Sequence, residues 1–222
     1  MALALSDPPV DFTPQKIQLI YHNLPLGVGI GLMLAVLLLL ASWPSQTGHV
    51  AILMGWLAYN LLLTLGQLLL WRAYHRAQDT ERKLWRHLIL CCGWFNGLSW
   101  GLAGVWLLPH TDQALNVLIG MILGGLAAGA VPLYAPYRPA LIAFLFSGLV
   151  PALGKLLMLG NAAAILSALA GGMLIVSLLW AAQRINRFLN QNLAVSQEKQ
   201  ALIETFAEAK TRAERLNQEL AG

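Results

Sequence analysis

The sequence predicts an all-α, polytopic membrane protein with six transmembrane helices, the last of which continues as a cytoplasmic coiled-coil helix. Of the 222 residues, 58% are hydrophobic and 11% are charged, which is typical of integral membrane proteins. Six apolar runs are long enough to cross a bilayer. Residues 1–182 hold 13 Asp, Glu, Lys and Arg residues, whereas the last 40 residues hold 11. The membrane part and the tail are therefore physically different segments.

Each predicted span holds about 20 mainly apolar residues, the length that the hydrocarbon core requires. The spans are 24–43, 50–71, 87–108, 115–134, 139–158 and 162–182, with a turn expected at Gly160 and Asn161. The predicted domains are an amphipathic N-terminal segment (1–23), a transmembrane domain (24–182) and a coiled-coil helix (183–222). In the N-terminal segment, Ile17, Ile20 and Tyr21 share one face, which we expect at the cytoplasmic membrane interface.

The positions of Lys and Arg give the orientation. Basic residues cluster in segment 72–86 and directly after span six, and Arg138 lies between spans four and five. The connections at 44–49 and 109–114 contain no Lys or Arg. The positive-inside rule therefore predicts that both termini are cytoplasmic. Because the basic residues lie beside spans, the net charge of +4 does not indicate nucleic-acid binding.

The tail carries a heptad seam when Ile185 is taken as position a. The predicted seam consists of Ile185, Phe188, Asn192, Val195, Leu202, Phe206, Ala209 and Leu216. Apolar residues at a and d over about five heptads favour a coiled coil, and Asn192 at an a position is a typical register device. We expect a parallel homodimer. The alternative is a single amphipathic helix that lies on the membrane or packs on another domain.

A polar stripe crosses spans two and three, because Asn60, Thr64 and Gln67 recur at spacings of four and three. The candidate ligand-binding residues are Asn60, Thr64, Gln67, Trp94, Asn96, Ser99 and Trp100. One interpretation is hydrogen bonding between helices. The other is a pocket with aromatic walls for a small, largely apolar ligand that arrives from the lipid.

Two further patterns concern packing. Trp43, Trp71, Trp85 and Trp180 lie near span ends and are predicted to be interfacial anchors. Glycines at helical spacing predict close helix packing within the bundle, and the alternative is a subunit interface or a moving helix contact. They are Gly93, Gly97, Gly101 and Gly104 in span three, and Gly120, Gly124, Gly125 and Gly129 in span four.

The sequence offers no chemistry of the usual enzymatic kinds. No ionisable residue falls at the middle of a span, which counts against a proton-coupled transporter or pump. There are no paired carboxylates and no phosphate-binding loop, so no catalytic residue is predicted. His22, His75 and His87 are expected at one membrane level and could ligate haem or a metal. Interfacial histidines are the simpler interpretation, and no cofactor or metal is predicted.

Several stretches together resemble a group of bacterial signalling proteins. They are LIYHNLPLG before span one, RAYHRA after span two, WFNGLSWGLAG in span three, GGLAAGAVPLYAPYRPA across spans four and five, and RINRFLNQNL in the tail. In that group a multi-span membrane domain precedes a cytoplasmic histidine kinase or a cyclic-di-GMP (GGDEF or EAL) enzyme. The resemblance covers residues 16–216. It implies a dimeric sensor in the bacterial inner membrane, whose ligand is often unknown.

The output module itself is expected to be absent from this chain. No histidine follows His110, and no nucleotide-binding, GGDEF or EAL motif occurs. The chain alone is therefore not expected to be an enzyme. The leading hypothesis is a sensory and dimerisation domain of a receptor in a two-component system, truncated or stand-alone. The alternatives are a small transporter or scramblase-like protein with a regulatory tail, and a haem-binding membrane protein that uses His22, His75 or His87.

Overall fold

The computed structural model of the chain describes residues 13–42, 50–77, 83–107 and 113–221, and these residues form six α-helices and no strand. The helices are α1 (Thr13–Ser42), α2 (Val50–Arg76), α3 (Lys83–Trp106), α4 (Gln113–Tyr134), α5 (Arg138–Leu159) and α6 (Ala162–Ala221). Each contains a stretch that is long and apolar enough to cross a membrane. Within the described residues, the predicted all-helical fold of a multi-pass membrane protein is confirmed.

Helix α1 begins earlier than the sequence predicts. It starts at Thr13, eleven residues before the predicted first span. Ile17, Ile20 and Tyr21 are at most 1% exposed, because they pack into the bundle instead of lying on a membrane surface. Residues 13–23 are therefore the first turns of α1. Residues 1–12, and the predicted anchor Trp43, lie outside the described residues.

Helices α3 and α5 form the most extensive helix pair, and the glycines of α3 are the reason. A Cβ atom on Gly93 would lie 2.6 Å from the carbonyl oxygen of Ala140. A Cβ atom on Gly97 would collide with the Ser147 hydroxyl and the Phe144 carbonyl. Small residues let the two backbones approach this closely. The packing role predicted for the glycines of span three is confirmed.

The glycines of α4 behave differently. A Cβ atom on Gly120, Gly125 or Gly129 would have no neighbour within 4 Å from elsewhere in the described structure. A Cβ atom on Gly124 would make ordinary contact with a Leu174 methyl group at 3.7 Å. Among the described residues, the glycine spacing of α4 therefore does not produce close packing inside the bundle, and the alternative of a contact between subunits stays a prediction.

The turn between α5 and α6 lies at Gly160 and Asn161, where the sequence predicts it. Gly160 adopts a left-handed conformation with φ of 70°, and its N–H donates to the Leu157 carbonyl at 3.2 Å. Glycine is the usual residue at such a helix end, since it has no Cβ to strain. Asn161 then caps α6, because its Oδ1 accepts from the Ala164 N–H at 2.8 Å.

The chain divides into two compact units, Met1–Asn186 and Arg187–Gly222. Helix α6 contributes to both. The division lies four residues beyond the boundary at 182/183 that composition predicts. Within the second unit, the seam side chains Phe188, Val195, Leu202 and Phe206 are 57–67% exposed. This unit therefore presents an apolar stripe that no other part of the same unit covers.

Candidate functional site

Asn60 and Ser99 form a buried polar connection between α2 and α3. The Ser99 hydroxyl donates to Asn60 Oδ1 at 3.0 Å, and Asn60 Nδ2 donates to the Trp56 carbonyl at 2.9 Å. The Trp56 indole N–H donates in turn to the Ser99 carbonyl at 2.9 Å. Asn60 is 6% exposed and Ser99 is fully buried. These polar groups satisfy one another away from water, so this part of the stripe joins two helices.

The two tryptophans predicted to lie on the stripe in α3 are placed differently. Trp100 is buried, and its ring meets the edge of the Trp56 ring at a centroid distance of 5.4 Å. The Trp94 residue is 49% exposed. Its backbone carbonyl accepts a hydrogen bond from the Ser147 hydroxyl of α5 at 2.9 Å. Trp94 is not among the described residues that line the cavity beside Asn60, and its role in ligand binding stays a prediction. Trp94 and Asn96 are two residues apart, and residues at that spacing do not share a helix face.

A small cavity lies along the rest of the stripe. Five of the predicted residues line it, together with Leu63 of α2 and four residues of α1. The full lining is Gly27, Val28, Gly31, Leu32, Asn60, Leu63, Thr64, Gln67, Asn96 and Trp100. Its volume is about 20 Å³, which is room for one water molecule. Small-molecule sites usually span roughly 300–1,000 Å³. Gln67 is 5% exposed, and its Nε2 has no partner among the described residues. The cavity is therefore polar and sized for water, not for an organic ligand.

A larger cleft of about 420 Å³ lies between the first turns of α1 and the end of α2. We call it the α1–α2 cleft. Its described lining residues are Gln15, Gln18, Leu19, His22, Tyr74, His75 and Ala77. The four α1 residues are spaced three, one and three apart, so they occupy one helix face. Its volume is larger than that of the cavity along the stripe.

An aromatic cluster adjoins this cleft through Tyr74, which lines it. The Tyr21 and Tyr74 rings stack at a centroid distance of 4.0 Å, and Trp85 meets both edge-on, at 5.8 Å and 5.2 Å. The Tyr21 hydroxyl also donates to the Trp85 carbonyl at 3.3 Å. Trp85 is 8% exposed, so the prediction that it anchors the chain at the lipid interface is wrong. Its contacts with Tyr21 and Tyr74 instead join α3 to α1 and α2.

Two of the three histidines considered as haem or metal ligands share the α1–α2 cleft. His22 and His75 line it, and His75 Nδ1 lies 2.9 Å from the Trp71 carbonyl. His87 is not among its described lining residues, although its Nδ1 makes the same kind of contact with the Lys83 carbonyl at 2.9 Å. Within the described residues, no three His, Cys, Asp or Glu side chains come together as metal ligands do.

Asn186, in the first unit, connects α6 to two other places in the bundle. Its Nδ2 donates to the carbonyls of Ala135 and Pro136, both at 2.9 Å, in the turn between α4 and α5. Its Oδ1 accepts from the Lys16 ammonium at 3.1 Å, in the first turns of α1. One carboxamide therefore joins three segments that are far apart in sequence.

The predicted seam residues fall into both units. Ile185 packs partly buried against the core of the first unit. In the second unit, Asn192, Ala209 and the four apolar seam residues described above are exposed. The Leu216 side chain lies outside the described residues. The seam thus occupies one helix, and its pairing with a second copy stays a prediction.

Sequence reasoning did not single out Asn186, the aromatic cluster or the glutamines of the cleft. Asn186 sits in the run QRINRF, where nothing distinguishes it from the neighbouring polar residues. Its role depends on a turn 50 residues earlier in the chain. The spacing of Gln15, Gln18 and His22 is a usable signal, since it places three polar side chains on one face of a helix.

Comparisons of the chain with protein-family models, with curated proteins and with solved structures gave no match.

Proposed function

We propose that the chain is the membrane-embedded sensory and dimerisation region of a bacterial transmembrane receptor, of the histidine kinase type. In this proposal, α6 passes a signal from the bundle through a coiled coil to a C-terminal output module. The chain lies in the inner membrane with both termini in the cytoplasm. The ends of α2 and α3 that carry Arg72, Arg76, Lys83 and Arg86 support this orientation, since basic residues are retained on the cytoplasmic side.

The observation that carries the proposal is the set of hydrogen bonds made by Asn186. Through them, the first turns of α1 and the α4–α5 turn both hold α6 four residues after the predicted end of its membrane span. A change in the packing of α1, α4 or α5 therefore acts directly on α6. Signal-transmitting helices need such a connection between an input region and an output helix.

The continuity of α6 supports transmission beyond Asn186. The helix runs to Ala221, and no proline or glycine follows Gly172 within it. Sharp kinks arise mostly at such residues, so a displacement at Asn186 is carried along the helix and not absorbed at a bend.

The exposed seam supports dimerisation. Phe188, Val195, Leu202 and Phe206 recur at a and d positions with more than half of each side chain exposed. A second copy would offer the same stripe, and pairing two such stripes in parallel buries both. Asn192 at an a position would face its counterpart and favour a single register over staggered alternatives.

Disulfide cross-linking tests this proposal. Cys91 and Cys92 are first replaced by alanine, and one cysteine is then introduced at Leu202, a d position, or at Gln197, an outward f position. We expect Leu202→Cys to cross-link two full chains in membranes much faster than Gln197→Cys. Equal rates at both positions, or no cross-linking at either, would contradict a paired seam.

A further inference from the structure

The small cavity along the polar stripe lies where α1, α2 and α3 meet. Four polar side chains line it: Asn60, Thr64 and Gln67 from α2, and Asn96 from α3. Trp100 is the lining residue nearest in sequence to an undescribed segment, and it lies eight positions before residue 108. Eight positions correspond to about 12 Å along a helix. The lining is therefore well separated along the chain from the segments that the structure does not describe.

Gln67 brings an unused hydrogen-bond donor to this cavity. The residue is 5% exposed, and its Nε2 has no partner among the described residues. Lipid offers no partner to a polar group, so buried amides in membrane proteins bond to protein or to ordered water. Asn60, two turns earlier on α2, already bonds to Ser99 and to the Trp56 carbonyl. Gln67 is therefore the amide of the α2 stripe that needs a further partner.

The relative level of α2 and α3 leaves the space of one small molecule between Gln67 and Asn96. Two contacts show that the helices run antiparallel, namely Asn60 with Ser99 and Tyr74 with Trp85. Gln67 then lies level with residue 92 of α3, and Asn96 lies four residues, or about 6 Å, from that level. Helix side chains lean toward the N-terminus of their own helix, which brings the Gln67 carboxamide toward Asn96. A water bonded to two polar atoms spans roughly 5–6 Å between them, which matches this offset.

The volume and the lining favour water over an ion or an organic ligand. The cavity of about 20 Å³ exceeds the roughly 10–15 Å³ that a buried water needs. Its described lining contains no Asp, Glu, Lys or Arg, so an ion would have no counter-charge there. A metal cation also accepts electron pairs only, whereas Nε2 offers a proton. Water both donates and accepts, so it suits either orientation of the Gln67 carboxamide.

We propose that this cavity binds one resident water molecule, which accepts a hydrogen bond from Gln67 Nε2 and donates one to Asn96 Oδ1. Buried waters make about three bonds, and the Thr64 hydroxyl supplies the third. The water is then a second polar connection between α2 and α3, in addition to the direct bond between Asn60 and Ser99. The inference concerns the bundle alone and does not depend on the proposed receptor function.

Water-edited solid-state NMR of the isotope-labelled full chain in proteoliposomes tests the proposal. Magnetisation starts on water protons and is detected on side-chain nitrogens. We expect it to reach the Gln67 carboxamide faster than the Trp56 indole, which is also buried but bonds to the Ser99 carbonyl and is not among the described lining residues. The Gln67 signal is assigned by its loss in Gln67→Met, or in Gln67→Glu if the first variant does not fold. Transfer to Gln67 that is no faster than transfer to Trp56 overturns the proposal.

Asn96→Leu tests the second partner of the water. We expect this variant to lose the fast transfer to Gln67, because the water loses the acceptor that holds it. Asn116→Leu is the matched control, since Asn116 is another half-buried asparagine of a span but is not among the described lining residues, and it should keep the fast transfer. Equal transfer rates in the two variants contradict the bridge to Asn96.

Thermal unfolding and a change of salt complete the design. Gln67→Met should lower the Tm by about 2–4 °C, the effect of one net hydrogen bond in a chain of this size. A raised Tm overturns the proposal, because it is the result expected when a donor without any partner is removed. A Gln67 chemical shift that follows the sodium concentration overturns it in favour of a cation. None of these outcomes bears on dimerisation, which cross-linking tests separately.

Discussion

The Lys16 ammonium donates a 3.1 Å hydrogen bond to Asn186 Oδ1, which joins the first turns of α1 to α6 across 170 positions of sequence. The same asparagine holds the α4–α5 turn through its Nδ2. A side chain with three partners on two separate segments constrains α6 more than a single contact does.

Replacing Asn186 with alanine should loosen α6 from the rest of the bundle. The change removes the bonds to Lys16, Ala135 and Pro136, and we expect a loss of about 1–3 kcal/mol in the free energy of unfolding. Unfolding in mixed detergent micelles, followed by circular dichroism, measures it. Asn190→Ala is the control, because Asn190 Oδ1 has no partner among the described residues and its loss should cost less. Similar losses of unfolding free energy in both variants would contradict a stabilising role of the Asn186 hydrogen bonds.

Replacing Gly97 with alanine should force α3 and α5 apart. The new methyl group would meet the Ser147 hydroxyl and the Phe144 backbone, and overpacking of this kind costs about 1–3 kcal/mol. Gly125→Ala is the matched control, since Gly125 is also in a helix but has open space where its Cβ would be. We expect the control to be neutral or slightly stabilising, because alanine is the better helix former. A neutral Gly97→Ala variant would contradict the tight α3–α5 contact.

Removing the Ser99 hydroxyl should weaken the connection between α2 and α3. Ser99→Ala leaves Asn60 Oδ1 without its buried donor, and we expect a cost of about 1 kcal/mol in thermal or detergent unfolding. Ser167→Ala serves as control. The Ser167 hydroxyl is exposed and bonds to the Ala163 carbonyl of its own helix, so its loss should have little effect. The idea that the polar stripe joins helices fails if the two variants behave alike.

Much of the fold could be predicted because hydropathy and turn chemistry are local. The helix end at Gly160 and the cap at Asn161 need only neighbouring residues, and the apolar runs mark the spans. The start of α1 was missed because its first turns are polar on one side. The burial of Tyr21, for example, depends on Tyr74 of α2 and Trp85 of α3, which the local sequence of α1 does not include.

The candidate site was less predictable because it depends on partners far along the chain. Trp85 has the position of an interfacial anchor, yet Tyr21 and Tyr74 enclose it. The stripe residues Asn60 and Ser99 were correctly brought together, but the volume left beside them follows from how α1 packs. Asn186 acquires its role from Lys16 and from the carbonyls of a distant turn, and no local sequence pattern predicts these contacts.

The central claim is that Asn186 controls the state of the paired output helix. Spin labels at Leu202 in the full chain, reconstituted in nanodiscs, report the distance between the two copies by pulsed electron paramagnetic resonance. We expect a defined distance distribution in the wild-type background, a shifted or broadened one with Asn186→Ala, and no change with Asn190→Ala. The absence of any distance signal between copies, or a distribution that Asn186→Ala leaves unchanged, would contradict the claim.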